Sequence, residues 1–261
     1  MCGILFRLSQ NLLNDKQQIW KNLIENVSKR GPDFQKEITL QTIKKQNLNF
    51  YSSILNLRGD KNHPTAQPLE DNAENLLMFN GEIFDGVNVA NNENDAFKLS
   101  VELSNVNGNK NKSNISDYVE VMGRVRGPFS FLFLHKKLNF LLFGRDVLGR
   151  RSLLWNLNEL KNNESDEFLI TSVGTEGSKY QEVPANGFYC LDLNGLDYFV
   201  YVQEEQQNQG AYSYVLPRLN QLLPEGMELR YVGREALCAP AVGVSSVHKK
   251  EQAWVIDTAF A

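Results

Sequence analysis

The chain opens on an apolar run, Ile4-Leu5-Phe6, which reads as a buried strand. Residues 15–28 then show helical periodicity. Ile19, Leu23 and Val27 fall on one face, with Trp20 and Ile24 beside them. Asn14 is a suitable N-cap, with Gln17 three residues on, and the helix stops at Arg30-Gly31-Pro32, where Gly and Pro both oppose continuation. Short strands are expected over 37–43 and 50–57. Pro64 and Pro68 make 62–70 a loop. The run Leu76-Leu77-Met78-Phe79 reads as a buried strand ending at Asn80-Gly81, a strong turn dipeptide. A second amphipathic helix is expected over 94–104, carrying Ala96, Phe97, Leu99, Val101 and Leu103.

The asparagine- and lysine-rich stretch 105–114 reads as a solvated loop, and 115–122 as a short helix. Strand texture follows at 129–135, 138–143, 152–157, 168–173, 187–193 and 198–202. These segments are rich in aromatic, leucine and β-branched residues, and turn residues separate them, as in stacked antiparallel hairpins. Helices early and many strands around them imply an α+β fold with sheets sandwiched between helices. After residue 202 the periodicity is lost. Residues 204–209 are polar and glutamine-rich, and Pro217, Pro224 and Pro240 interrupt the rest. The expected division is a folded unit over 1–203, then a linker and tail over 204–261 with no assignable domain, too short for a sizeable second core.

Composition narrows the functional classes. Of 261 residues, 42% are hydrophobic, enough for a substantial core, and the net charge is −4. No dense basic block is present, which argues against nucleic acid as a partner. No apolar run approaches the ~20 residues that span a bilayer, and the N-terminus lacks the layout of a signal peptide. Cys2, Cys190 and Cys238 form an odd, sparse set, which suits a reducing compartment and a cytoplasmic protein. Cys190 falls in an expected strand and reads as a small core residue. His63, His135 and His248 follow no metal-ligand spacing, so neither metal nor cofactor is expected.

Cys2 carries the most specific chemistry. Removal of Met1 would place a thiol, with an unperturbed pKa near ~8.5, and an α-amine, near ~7.7–8.0, on one residue. The amine then serves as base while the sulfur attacks a carbonyl, as in N-terminal threonine nucleophiles. Gly3 lets the chain start tightly, and the buried strand after it anchors an otherwise mobile terminus.

Five further motifs follow in order: Arg30-Gly31-Pro32-Asp33, Arg58-Gly59, Gln67-Pro68, Asn80-Gly81-Glu82-Ile83 and Asn94-Asp95. With the Cys2 start, this order resembles the class II glutamine amidotransferases, the N-terminal-nucleophile family that includes the glutaminase domain of asparagine synthetase. The likeness covers residues 1 to about 200 and continues through 144–155 and 171–175. It implies an αββα four-layer sandwich with two mainly antiparallel sheets. It also implies glutamine as substrate, hydrolysed to glutamate and ammonia through a Cys2 thioester. Asn80 and Gly81 would form the oxyanion hole, Arg58 would hold the α-carboxylate, and Glu82 and Asp95 the α-ammonium group. Arg30 would order the loop near Cys2 without touching substrate, and Arg145-Asp146 would be a structural ion pair.

Three departures stand out. Phe97 occupies the position, two after Asp95, where the family carries a second acidic residue. Residues 57–61 read Leu-Arg-Gly-Asp-Lys, less apolar than in asparagine synthetases. The phosphate loop of the synthetase half does not occur, so no ATP-dependent asparagine formation is expected from this chain alone. The ammonia acceptor would be a separate or missing synthetase domain. Two other readings stay open: a catalytically silent binding or regulatory module on the same fold, and an autonomous hydrolase of another small amide.

Overall fold

The computed structural model describes residues 2–9, 17–42, 45–59, 63–106, 115–156, 167–193, 198–201 and 229–232. The first strand organises the molecule. β1 (Gly3–Ser9) is buried along its whole length and lies between β3 (Asn47–Ile54) and β9 (Phe168–Thr171), antiparallel to both. Its side chains alternate with the strand period of two. Ile4, Phe6 and Leu8 point into the core between the sheets, while Leu5 packs beneath Trp20, Leu23 and Val27 of α1 (Gln17–Ser28). β2 (Phe34–Gln41), β8 (Leu154–Trp155) and β10 (Gln181–Glu182) complete a six-stranded sheet of order β10-β8-β9-β1-β3-β2.

The second sheet has seven strands. It adds β4 (Leu69–Glu70), β5 (Leu76–Gly81), β6 (Phe129–His135), β7 (Phe140–Arg145), β11 (Phe188–Asp192), β12 (Tyr198–Tyr201) and β13 (Leu229–Val232), in the order β13-β12-β11-β7-β6-β5-β4. Every pairing is antiparallel except β12 with β13. Leu76, Met78, Leu132 and Leu134 face the first sheet. Leu77, Phe79, Phe131 and Phe133 face α2 (Asp95–Asn105) and α3 (Ile115–Arg124) through Leu99, Leu103, Tyr118 and Met122. The layers are therefore helix, sheet, sheet, helices. Central strands covered on both faces are largely apolar, which is why β1 and β6 read as hydrophobic runs, interrupted by Arg7 and Ser9 in one and by Ser130 and His135 in the other.

Several expectations change in detail. Ile19 is 45% exposed and is not on the buried stripe of α1, which runs through Trp20, Leu23 and Val27. Phe97, 52% exposed, and Val101 likewise leave the buried face of α2 to Asp95, Ala96, Leu99 and Leu103. Asn94 caps that helix, its side chain accepting from the Phe97 N–H. Asn80-Gly81 is not a hairpin turn. It continues β5, opposite Ser130 and Phe129. The strands expected at 152–157 and 168–173 shorten to two and four residues. Asn14, most of the loop 105–114 and Cys238 lie outside the described residues. Of the tail 204–261, only β13 is described.

Two buried polar groups bear on stability. Arg7, on the Leu5 side of β1, pairs with Glu167 just before β9, and its Nε and Nη1 meet no partner among the described residues. His135 closes β6 among the rings of Tyr118 and Phe140, at 5.0 and 5.2 Å. Its Nδ1 accepts from the Leu138 N–H, and its Nε2 has no partner among the described residues. Burial pushes its pKa below the ordinary 6.5, with Asp71 pulling the other way and Lys137 adding to the depression. The folded state therefore resists a proton that the unfolded chain accepts. The stability is fully present above the unfolded pKa and is lost as pH falls from there through the folded value, then levels off. The urea midpoint should fall between pH ~7.5 and ~5. His135→Phe should be less stable at neutral pH, having lost the Leu138 bond, yet lose less on acidification. Parallel pH profiles for the two proteins would contradict this assignment.

Candidate active site

The site begins where α1 ends. Gly3 leaves no space for a side chain, because a Cβ there would come within 2.4 Å of Ser53 Oγ and Val27 Cγ1. Ser53 Oγ in turn donates to the Val27 carbonyl at 2.6 Å, clamping the helix end against the first strand. Gly31 presses on β3, where a Cβ would meet the Ile54 backbone nitrogen at 2.3 Å. That close approach lets Arg30 reach back over the strand. Its Nε donates to the Cys2 carbonyl at 3.3 Å, and its Nη1 to Ser152 Oγ at 3.1 Å and to the Ser172 carbonyl at 3.3 Å. Ser172 also brackets Ile4. Its N–H donates to the Ile4 carbonyl and its Oγ accepts from the Ile4 N–H. The backbone from Cys2 to Ile4 is held on both sides.

Cys2 sits two residues before Ile4, on the parity of the inter-sheet face. It is partly exposed, and its Sγ lies 3.8 Å from the Leu55 carbonyl. Burial pushes the thiol pKa above its ordinary value, opposed by the positive charges of Arg30 and Arg151. From Leu55 the chain runs to Arg58, which joins a compact knot. Arg58 Nη1 bonds Asp95 Oδ1 at 2.8 Å and the Ile83 carbonyl at 3.4 Å, and the same Asp95 oxygen accepts from the Ile83 N–H at 3.2 Å. Asn94 Nδ2 donates to the Arg58 carbonyl at 3.1 Å. Asp95 opens α2, where a carboxylate meets the positive end of the helix. Burial nonetheless raises its pKa, against the pull of the Ile83 N–H and the Arg58 charge.

The end of β5 supplies the other side. Asn80, on the inward parity of Met78, is 1% exposed, and its Nδ2 donor has no partner among the described residues. Ser130, directly across the ladder, is buried with its Oγ equally unpartnered among them. Gly81 is confined, since a Cβ would stand 2.3 Å from the Pro128 carbonyl oxygen. Glu82 leaves the sheet with its N–H on the same Pro128 carbonyl, and its Oε1 accepts from Arg151 Nη2 at 3.1 Å.

Arg145 and Asp146 do not pair with each other. They are consecutive at a strand end, so their side chains diverge. Arg145 goes to Glu182 at 3.1 Å, and Asp146 to Arg150 at 2.9 Å and to the Phe129 N–H at 3.0 Å. Asp146 thus fixes the loop leading to Arg151 against the strand beside Gly81. Arg58 and Asp95 come together by direct contact. Glu82 is held by Arg151, and Asn80 and Gly81 close the strand that leads to Glu82. Arg151, Ser130 and Ser172 were not singled out from the sequence. No spacing marks them, and nothing in Arg150-Arg151 tells which guanidinium turns inward. Among the described residues, no group of three or more His, Cys, Asp or Glu side chains is placed to hold a metal ion. No helix there is long and apolar enough to cross a membrane.

Comparison with known proteins agrees with this architecture. The glutamine amidotransferase domain family matches residues 1–216, and the chain belongs to that family. Within it, the chain is similar to asparagine synthetase domain-containing protein 1 of Bos taurus, 38% identical over 197 residues. The match covers 74% of this chain but only 29% of that relative's length. The fold is shared with the glutamine phosphoribosylpyrophosphate amidotransferase of B. subtilis at a TM-score of 0.53 and 12% identity, covering 79% of this chain and 50% of that one. The αββα sandwich with two mainly antiparallel sheets is thereby established. Residues 191–260 separately match the 2-oxoglutarate dehydrogenase C-terminal family. In this region the chain is 48% identical over 62 residues to a probable 2-oxoadipate dehydrogenase complex component E1 homolog of Dictyostelium discoideum, covering 24% of this chain and 7% of that protein.

Proposed function

We propose that the chain hydrolyses glutamine to glutamate and ammonia through a thioester on Cys2, after loss of Met1, and that the ammonia feeds asparagine biosynthesis in the cytoplasm. The single observation that carries this reading is the buried Nδ2 of Asn80 beside Gly81, which has no partner among the described residues. A buried donor without an acceptor is costly in a resting protein, and an oxyanion forming in front of it would satisfy it. The Cys2 amine takes the thiol proton, and the sulfur attacks the γ-amide carbon. The oxyanion rests on Asn80 Nδ2 and the Gly81 N–H. Collapse expels ammonia, protonated on leaving, and water then releases glutamate. Arg58 offers donors for the α-carboxylate, and Asp95 and Glu82 offer acceptors for the α-ammonium group.

The catalytic unit on this reading is residues 1–203, with 204–261 as linker and tail. The ammonia acceptor is a synthetase domain or chain outside it. Leu57, Phe84 and Leu148 are large apolar side chains standing exposed on the loops that carry Arg58, Glu82 and Arg151, and they suit such a partner. A catalytically silent module on the same fold is the second reading. It is favoured by the Arg58–Asp95 pair, in which the groups meant for substrate already neutralise one another.

The test is ammonia and glutamate release from glutamine by the purified chain, with Met1 removal confirmed by mass. Asn80→Ala should lower kcat by ~10²–10³ with the fold retained, as for loss of one oxyanion donor. A fully processed, folded chain that releases no ammonia would favour the silent module.

A further inference from the structure

Three buried polar groups stand side by side across β5, β6 and β7. Asn80 is directly opposite Ser130, and Ser130 is directly opposite Arg145. Opposed residues share a face, and here it is the face between the sheets, two positions along from Met78, Leu132 and Phe143. All three are at most 5% exposed. Asn80 Nδ2, Ser130 Oγ and Arg145 Nε each lack a hydrogen-bond partner among the described residues. Opposed Cβ atoms in a ladder stand about 4.5–5.5 Å apart, a gap that an asparagine amide and a serine hydroxyl can close. The tip of Arg145 is fixed. Its Nη2 is on Glu182 at 3.1 Å, and a Cβ at Gly149 would come within 2.9 Å of the same nitrogen. Nε, on the stem of the side chain, is left to the row.

We infer that Ser130 is a positioning residue for the Asn80 amide, with Arg145 setting the direction of its hydroxyl, an inference that rests on the glutaminase reading. Arginine can only donate, so the row has one polarity. Arg145 Nε donates to Ser130 Oγ, and the hydroxyl then turns its hydrogen toward Asn80 Oδ1. Both Nδ2 hydrogens are left for the oxyanion. The opposite amide orientation would set a carbonyl oxygen against the developing negative charge. At rest the row is open, with Ser130 Oγ bonded to neither neighbour. It tightens as the oxyanion forms, as catalytic hydrogen bonds that are long in the free enzyme often do. Leaving these groups unpaired costs the resting fold stability. A hydroxyl kept for the fold alone would instead be bonded at rest.

The measurement is a double-mutant cycle on ammonia release from glutamine, with urea denaturation beside it, on the full chain with Met1 removed. Ser130→Ala should lower kcat ~3–10-fold, the size of one ordinary hydrogen bond, and leave KM unchanged. In an Asn80→Ala background the same substitution should change kcat by less than about twofold, because Ser130 acts through the amide. The urea midpoint of Ser130→Ala should equal or exceed that of the wild type, since the lost hydroxyl has no partner among the described residues. Ser130→Cys, close in size but a weak donor, should behave the same way and carries the cycle if the alanine variant does not fold. Wild-type kcat in the Ser130 variants, an undiminished effect in the Asn80→Ala background, or a urea midpoint lowered in both variants overturns the inference and leaves the glutaminase reading standing. A wild type that releases no ammonia removes that reading and this inference with it.

Discussion

Cys2→Ala should abolish glutamine hydrolysis and leave the fold almost untouched. The Cys2 side chain is small and partly exposed, and its Sγ makes one long hydrogen bond among the described residues, 3.8 Å to the Leu55 carbonyl, so its loss should cost little. The neighbouring backbone is held independently of the side chain, by Arg30 on the Cys2 carbonyl and by Ser172 on the Ile4 N–H and carbonyl. Catalysis, by contrast, has no other cysteine placed to substitute among the described residues. Cys190 is fully buried in β11, on the helix-covered face of the other sheet. The oxyanion donors alone cannot form a thioester. The rate should therefore drop by about 10⁶, the scale seen in kcat when the nucleophile of a covalent mechanism is removed. The check is ammonia release beside a thermal melt. Activity within tenfold of wild type in a well-folded Cys2→Ala would show that the sulfur is not the nucleophile.

The second large effect concerns stability. Arg7→Met or Glu167→Leu alone should cost about 3–5 kcal/mol, because each strands a charge in the interior. That is a large share of the roughly 5–15 kcal/mol that holds a domain folded. The double variant should regain most or all of it. The pair is not fully satisfied to begin with, since Arg7 Nε and Nη1 lack partners among the described residues, and apolar side chains of similar volume carry no such burden. Urea denaturation of the two single variants and the double variant measures this directly. Single substitutions costing under about 1 kcal/mol would mean that water reaches the pair and relieves it.

The layers of the fold were legible because burial on both faces leaves a plain mark. β1 and β6 are mostly apolar runs, interrupted by Arg7 and Ser9 and by Ser130 and His135, and β6 spans Phe129–His135 as the sequence implied. Helix faces were less so. Ile19-Leu23-Val27 and Trp20-Leu23-Val27 both fit a 3.6-residue period, and only contact with Leu5 and Tyr51 decides for Trp20. At Asn80-Gly81 the local turn preference lost to pairing with Ser130 and Phe129, and the glycine answers to the crowding at Pro128 instead. β4 and β10 are two residues long and carry no readable period. β13 joins β12 in parallel, and its four residues lie alone in a region without the repeated strand-and-turn pattern of 129–202. Arg58 and Asp95 could be named from motif order. Their mutual contact could not, because it depends on how the loop after β3 meets the start of α2.

The bracketing of Ile4 by Ser172 has a consequence for how the molecule is made. The two residues lie 168 positions apart, and β1 is a central strand whose second neighbour, β9, comes late in the chain. On a ribosome adding ~5–20 residues per second, the terminus waits roughly 8–30 s before the strand that finishes its seat has even been synthesised. Through that interval the first residues are outside any completed active site. On the Cys2-nucleophile reading proposed above, this would give a natural order of events: trimming of Met1 while the end is still loose, then closure of the sheet over an already processed cysteine. Maturation would be timed by the length of the chain itself, with no separate unmasking step.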